Sequence, residues 1–177
     1  MASSAQLTQT VSAKGSASGP SDLLQIVTFQ VGSEVFGLDI LIVHEIIRFQ
    51  QLTRVPNLPD YVEGVLNLRG KVIPVVGLRQ RMGLERKEPT STTKIIVASV
   101  KDDVLGFMVD SVSEVLRISA STVEPAPRLG EAGKKYVSGI GKLDNRLLLL
   151  LDLDKLLTNE ECTSVLAAST AVEEETK

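Results

Sequence analysis

The stretch Ile26–Phe49 reads IVTFQVGSEVFGLDILIVHEIIRF, and Ile95–Ile118 reads IIVASVKDDVLGFMVDSVSEVLRI. Laid over one another at a constant offset of 69 with no gap, they share Ile26/Ile95, Val31/Val100, Val35/Val104, Gly37/Gly106, Val43/Val112, Glu45/Glu114 and Arg48/Arg117. Other positions stay apolar, as at Val27/Ile96, Phe36/Leu105, Ile40/Val109, Ile46/Val115 and Ile47/Leu116. Pro56/Pro125 keep the offset; after a six-residue insertion, Gly64-Val65 returns as Gly139-Ile140 and Lys71-Val72-Ile73 as Arg146-Leu147-Leu148. An internal repeat means two similar folded units with a seam between them. Two like surfaces and one seam suit a protein that joins partners better than one that transforms a substrate.

Within each repeat the local pattern is that of strands. Leu24–Val31, the turn Gly32-Ser33 and Glu34–Asp39 form a hairpin, and Lys94–Val100, Lys101-Asp102-Asp103 and Val104–Val109 repeat it. Val62–Leu68 and Val72–Val76 around Gly70-Lys71 form another, with Val137–Leu143 and Arg146–Leu151 as its copy. Between hairpins, Val43, Ile46 and Ile47 fit a helical face or a β-branched strand; a helical turn is expected near Leu41–Glu45 and a strand at the matching second-half positions. Five short strands per repeat suggest a small closed barrel, because closure removes unpaired edges. The fold class is therefore mainly β: two similar five-stranded barrels packed together, with short helical turns and a C-terminal helix. Repeats of 65 to 70 residues are marginal alone, so the halves are expected to share buried surface. The expected boundaries are a flexible tail over 1–22, one domain over 23–158 made of repeats 23–88 and 94–158, and a helix and tail over 159–177. Exchange of segments between the repeats stays open. Asp152 and Asp154 should begin a helical turn at Leu153–Leu157, and Thr158 with Glu161 has capping-box spacing before the final helix. The connection Ala120–Lys135, with Pro125, Pro127, Gly130 and Gly133, reads as a surface loop.

The composition disfavours several classes of function. A formal charge of −3 without a Lys/Arg cluster, and few aromatics for base stacking, argue against a nucleic-acid-binding barrel. No apolar run is long enough to span a bilayer, and the N-terminus lacks a secretory pattern. One cysteine, Cys162, excludes an internal disulfide and fits a reducing compartment. One Cys and one His exclude zinc spacing, and no phosphate-binding loop is present. His44 has Ser113 as its repeat counterpart and reads as a surface or groove-edge residue; Cys162 lies beside Glu160 and Glu161, which would raise its thiol pKa. Asp102-Asp103 reads as turn chemistry rather than a metal site. No catalytic residue, cofactor or metal is expected. What stands out is Arg69, beside Gly70 in an otherwise apolar hairpin. It either tips a turn in water or pairs with a carboxylate, for which Glu45 is the candidate.

Gly37-Leu-Asp-Ile40, Val43-His-Glu-Ile46, Arg54-Val-Pro56, Gly64-Val-Leu-Asn-Leu-Arg-Gly70 and Val72-Ile-Pro-Val75 together resemble the CheW family of chemotaxis coupling proteins. Gly106-Phe-Met-Val-Asp110, Val112-Ser-Glu-Val-Leu116, Pro125-Ala-Pro127 and Gly139-Ile-Gly141 agree, so the match runs from Leu23 to Thr158. The resemblance implies SH3-like barrels and a non-catalytic cytoplasmic adaptor, held at the inner face of the membrane through receptor complexes. The adaptor would couple the tips of methyl-accepting chemotaxis receptors to the regulatory domain of the histidine kinase CheA in signalling arrays. Contacts between CheW copies stay open. Receptor tips of that family are helical hairpins, which need an apolar cleft between the barrels. By family position the receptor-binding residues are Val43, Glu45, Ile46, Arg69, Ile95, Val112 and Val115. Leu52, Gly64 and Leu129 match stretches associated with kinase contact. Glu124 and Leu129 depart from the basic and aromatic residues of some members, which leaves the second kinase contact undefined. Two alternatives remain: coupling in a pilus-linked or other non-flagellar pathway, and a regulatory fragment of a CheA-type kinase.

Overall fold

The computed structural model describes residues 23–126, 136–143 and 145–175, the last five as backbone. The tail expected over 1–22 and the loop containing Leu129 lie outside these residues. The strands are β1 (Leu23–Val31), β2 (Glu34–Asp39), β3 (Val43–Arg48), β4 (Val62–Leu68), β5 (Lys71–Gly77) and β6 (Lys94–Val100). They continue with β7 (Asp103–Val109), β8 (Ser111–Ser119), β9 (Val123–Pro125), β10 (Val137–Leu143) and β11 (Arg146–Leu151). Helices α1 (Leu78–Arg81) and α2 (Leu153–Leu156) are single turns, and α3 (Asn159–Glu175) closes the described chain. The turn expected at Leu41–Glu45 is a shorter 3-10 turn, Ile40–Ile42, with the Asp39 carboxylate capping Leu41. Val43 onward is strand because the β-branched run pairs with β6. The connection at 120–135 contains β9, which pairs with β10. Thr158 and Glu161 form the reciprocal capping box, at 3.0 and 3.1 Å.

The strands form two sheets, in the order β8-β1-β2-β11-β10-β9 (sheet A) and β3-β6-β7-β5-β4 (sheet B). Neither sheet is one repeat. The first hairpin of each half has left its own half: β1-β2 pairs with β8 and β11 of the second repeat, and β6-β7 with β3 and β5 of the first. The two exchanged joints are parallel and equivalent, Leu150↔Gly37 in sheet A and Val75↔Gly106 in sheet B. This explains why glycine recurs at these two positions. A Cβ on Gly37 would lie 2.4 Å from Ile26 Cγ2, and one on Gly106 would lie 3.1 Å from both Ile95 Cγ2 and Val75 Cγ2.

Both sheets curl. In sheet A the outer strands β8 and β9 are joined by only the 3-10 turn Ala120–Thr122, so the two edges must lie within that reach. In sheet B an ion pair from β3 to the β4-β5 turn spans the edges, Glu45 to Arg69. Each barrel has its own small core: Leu66, Ile73, Val75, Ile95 and Val97 in that of sheet B (barrel B), Ile26, Ile118, Leu148 and Leu150 in that of sheet A (barrel A). The largest cluster lies between them, where Phe29, Phe36 and Leu38 of sheet A meet Ile96, Ala98, Leu105 and Phe107 of sheet B. Cys162 and Val165 of α3 join it.

The crossing from β7 to β8 is tied by Asp110. Arg79 grips its carboxylate with Nε at 2.8 Å and Nη2 at 2.9 Å, and the Gly32 amide donates to it at 2.8 Å. Burial opposes ionisation, but Arg79 and the Gly32 amide hold the Asp110 carboxyl below its ordinary value of 3.8. Glu161 behaves alike: burial works against it, and Thr158, Tyr61 and Arg81 bring it below 4.5. A carboxyl whose pKa is depressed on folding stabilises above its unfolded pKa and loses that contribution as pH falls through the folded value. We therefore expect the urea midpoint to fall as pH drops below about 4.5, the unfolded carboxylate range, and Asp110→Asn to make that fall shallower; equal slopes would remove Asp110 from the linkage. At the exchanged joints, Gly37→Ala is expected to cost about 1–3 kcal/mol in urea unfolding, and Gly106→Ala less. Equal losses would mean that the closer contact at Gly37 does not govern the cost.

Candidate functional site

The positions singled out by the repeat gather at a shared backbone device. Along β3-β6 the register slips between Val43 and Glu45, so His44 is an extra residue. Along β8-β1 it slips at the equivalent place, with Ser113 and Glu114 opposite Thr28. Such bulges bend a strand and re-aim the next side chain. In sheet A the bulge is filled by Thr28, fully buried, whose hydroxyl donates to the Glu114 carbonyl at 2.8 Å and accepts from its amide at 3.2 Å. In sheet B the extra residue, His44, is exposed and sets its Nε2 2.6 Å from Ser99 Oγ.

Each bulge delivers its glutamate to a basic side chain of a hairpin. Glu45 Oε2 lies 2.9 Å from Arg69 Nη1, and Glu114 Oε1 lies 3.4 Å from Arg146 Nη2. The expected Glu45–Arg69 pair is thus present, but Arg69 is also a turn residue in water, its side chain 79% exposed. Arg69 and Gly70 have φ of 55° and 83°, the two positive angles of a type I′ hairpin turn, and the Gly70 amide donates to Asn67 Oδ1 at 3.2 Å. An arginine in the left-handed region costs on the order of 1 kcal/mol. An exposed ion pair returns about 0–1 kcal/mol. The two terms offset, so stability does not explain why arginine rather than asparagine or glycine stands here.

The apolar candidates divide by face. Val43 and Ile46 lie opposite Ala98 and Ile96, on the side of sheet B that faces the central cluster; Val43 packs against it and Ile46 remains 38% exposed. Val112 and Val115 lie opposite Phe29 and Val27 in sheet A; Val112 packs against the same cluster and Val115 is 50% exposed. Ile95 is a correction: it is 0% exposed and points into the core of barrel B, because alternation along β6 sends Ile96 rather than Ile95 to the seam. The expected open cleft is also corrected. The middle of the seam is filled by the protein's own side chains, and Ile46 and Val115 remain exposed.

Among the kinase-associated positions, Leu52 is half-buried against the core of barrel B and borders a groove of about 360 Å3 with Phe49, Arg54, Arg86 and Met108. Gly64 is buried at φ 148°, and a Cβ there would meet the Thr53 carbonyl oxygen at 2.5 Å. Its role is to let Thr53 bridge to Val65. Glu124 is exposed and pairs with Lys142 at 2.8 Å. The Asp110–Arg79 tie was missed in the sequence. The available signal was a repeat position that holds Leu41 in one half and Asp110 in the other.

Reactive groups are quieted rather than poised. Burial first, then the nearby Glu161 carboxylate, pushes the Tyr61 phenol up to about 12. Burial raises the Cys162 thiol, with Asp103 and Asp154 adding to the rise, not the adjacent glutamates expected from sequence. Replacing Arg69 with asparagine, which tolerates the left-handed region, is expected to change the unfolding free energy by no more than about 1 kcal/mol. A loss above about 2 kcal/mol in urea unfolding would make the ion pair a structural requirement.

The CheW-like domain family model matches residues 25–161. The chemotaxis protein CheW of Klebsiella aerogenes is 38% identical over 142 residues, covering 80% of this chain and 86% of that protein. The chemotaxis protein CheW of Thermotoga maritima is 37% identical over 139 residues, covering 78% and 89%. The crystal structure of the scaffolding protein TtCheW from Thermoanaerobacter tengcongensis matches with a TM-score of 0.73 and 33% identity, over 78% of this chain and 94% of that one.

Proposed function

The chain belongs to the family of CheW-like domains, and on that premise we propose how it works as a chemotaxis coupling adaptor. It joins the cytoplasmic helical tips of methyl-accepting chemotaxis receptors to the regulatory domain of the histidine kinase CheA, without chemistry of its own. The observation that carries this reading is Arg69, held in a strained turn and paired with Glu45, although the pair adds little net stability. Strain that stability does not explain points to recognition. Ile46 and Val115 are exposed and Val43 is half-buried, apolar side chains of the kind that take one stripe of an amphipathic helix. Leu52, with the groove it borders, is the described residue assigned to the kinase; Gly64 acts only by placing Thr53.

The absence of chemistry is supported by what the titratable groups already do. Asp110 and Glu161 are committed to Arg79 and Arg81, and the Tyr61 and Cys162 protons are held more tightly than usual. Among the described residues no helix is long and apolar enough to cross a membrane. We place the chain at the cytoplasmic face of the membrane through its receptor contacts.

Ile46→Asp tests the surface, since Ile46 is half-exposed and its replacement leaves the core intact. Co-sedimentation with receptor-containing membranes is expected to fall at least about tenfold, the scale of losing one anchor residue, with the circular dichroism spectrum unchanged. Binding equal to the unmodified chain would remove the β3 margin from the receptor contact. Val112 is a poorer probe, because it packs against the central cluster and its loss would disturb the fold.

A further inference from the structure

Helix α3 is joined to one barrel and rests on the other. It follows β11 and α2 through Leu157, whose backbone is extended at φ −120° and ψ 139°, and it packs along β5 and β4 of sheet B. It meets that barrel with Cys162, Val165, Ala168 and Ser169, all buried, at i, i+3, i+6 and i+7 spacing. Cysteine, alanine and serine are small, so the docked face buries little apolar area per turn.

The polar ties of α3 are gathered at its start. Arg81 of α1 donates from Nε to the Leu156 carbonyl at 2.7 Å, pairs with Glu161 Oε1 at 3.2 Å and lies 5.2 Å from the centre of the Tyr61 ring. Lys101 of the β6-β7 turn reaches Asn159 Oδ1. Farther along, the hydroxyls of Thr163, Ser169 and Thr170 donate to carbonyls of α3 itself. A helix of 17 residues is marginal in water on its own, so once lifted it regains chain entropy that offsets the burial it gives up. Residues 84–93, which follow α1 as α3 follows α2, form no helix, so a barrel of this design does not require one.

At β4 the docked helix meets an irregular stretch. The pairing of β4 with β5 slips between Val62 and Gly64, so Glu63 is an extra residue, and Val62 shares the central cluster with Cys162 and Val165. Glu63 lines the groove that Leu52 borders, and Gly64 places Thr53. The extra residue of a bulge has no ladder partner, so its position follows what packs beside it. We propose that α3 is a hinged strap: it opens from barrel B as one unit at Leu157-Thr158 while both sheets stay folded, and when docked it buttresses the β4 bulge that shapes the Leu52 groove. The opening stands on the packing alone; its coupling to the groove rests on the kinase contact proposed above. Because coupling between two sites is reciprocal, a partner seated in the groove holds the strap closed.

The test uses the full chain, whose single thiol, Cys162, lies under the strap. Labelling with Ellman's reagent without urea is expected to run at least about tenfold faster than global unfolding allows, and to rise with urea at less than about half the global slope, since one helix exposes a fraction of the surface. Labelling that tracks global unfolding at the same slope would make α3 part of the cooperative core and overturn the proposal. Val165→Asp places a charge under the docked helix; it is expected to speed labelling at least about tenfold while the strands still unfold in one transition, and a chain that no longer folds would overturn the strap as well. For the coupling, a soluble CheA-type regulatory domain at saturation is expected to slow labelling about tenfold, and Val165→Asp to weaken its binding at least about tenfold. Thr163→Glu, on the exposed face of α3, is expected to leave binding within about twofold. Equal weakening by Thr163→Glu would make α3 a direct contact, and full binding by the Val165→Asp chain would separate the strap from the groove; either result overturns the buttress and leaves the kinase contact standing. If the regulatory domain does not bind the unmodified chain, the kinase contact itself fails, whatever the labelling shows.

Discussion

The structure depends on one constraint: neither sheet can be completed by its own repeat. The parallel joints Leu150↔Gly37 and Val75↔Gly106 insert the first hairpin of each half into the sheet of the other. A repeat cut free would lose two strands from its own sheet and bare the central cluster, where Phe29, Phe36, Ile96 and Phe107 are almost completely buried. For units of this size that cluster is the larger share of the apolar burial, and it is available only when both halves are folded. The adaptor is therefore rigid across its seam, as a part that transmits position between partners needs to be.

The same duplication leaves the molecule with paired devices, and the places where the pairs differ are informative. Both barrels have the bulge and both turn a glutamate toward a hairpin cation. In sheet A the bulge is locked from inside by Thr28, whereas in sheet B the equivalent residue is Val97, which has no hydroxyl, and exposed His44 is the extra residue. At the crossings between sheets, one half ties half-buried Asp110 to Arg79 and the other leaves Leu41 87% exposed. Among the described residues, helix α3 packs on β5 and β4 of one barrel, with no comparable helix on the other. Fold alone would favour treating both halves alike. The departures each exchange an internal tie for surface, which is what an interaction protein is expected to accumulate.

How far the sequence was legible follows from which interactions are local. The four hairpins were readable nearly to the residue, because alternation and turn chemistry are properties of a dozen neighbouring residues. The capping box at Thr158 and Glu161 was readable for the same reason. Which hairpin pairs with which is a contact between residues tens of positions apart, and both halves offer nearly the same apolar edge, so periodicity could not choose. The repeated glycine held the clue, since a strand position where a Cβ cannot fit implies a close neighbour, but it does not name that neighbour. Ile95 shows the same limit at the scale of one residue. It is apolar, repeated and next to Ile96; only the register of β6 decides that it fills a barrel while its neighbour fills the seam. Arg69 was legible as an anomaly, and its partner was legible too, but not its exposure: a glycine-containing turn in an apolar hairpin looks buried in sequence and is a tip in space.

That exposure changes what the Glu45–Arg69 pair can be for. A buried pair would resist separation, because breaking it strands a charge away from water at a cost of several kcal/mol. An exposed pair can exchange partners with little loss, since each charge is rehydrated or re-paired as it parts. The glutamate is the better shielded of the two, 25% exposed against 79% for the arginine, so Glu45 is the fixed half and Arg69 the movable one. In the function we propose, the Arg69 guanidinium offers its remaining donors to a carboxylate or carbonyl of a bound helix. The fold thus keeps its packed apolar contacts in the seam and an exchangeable ion pair at the rim.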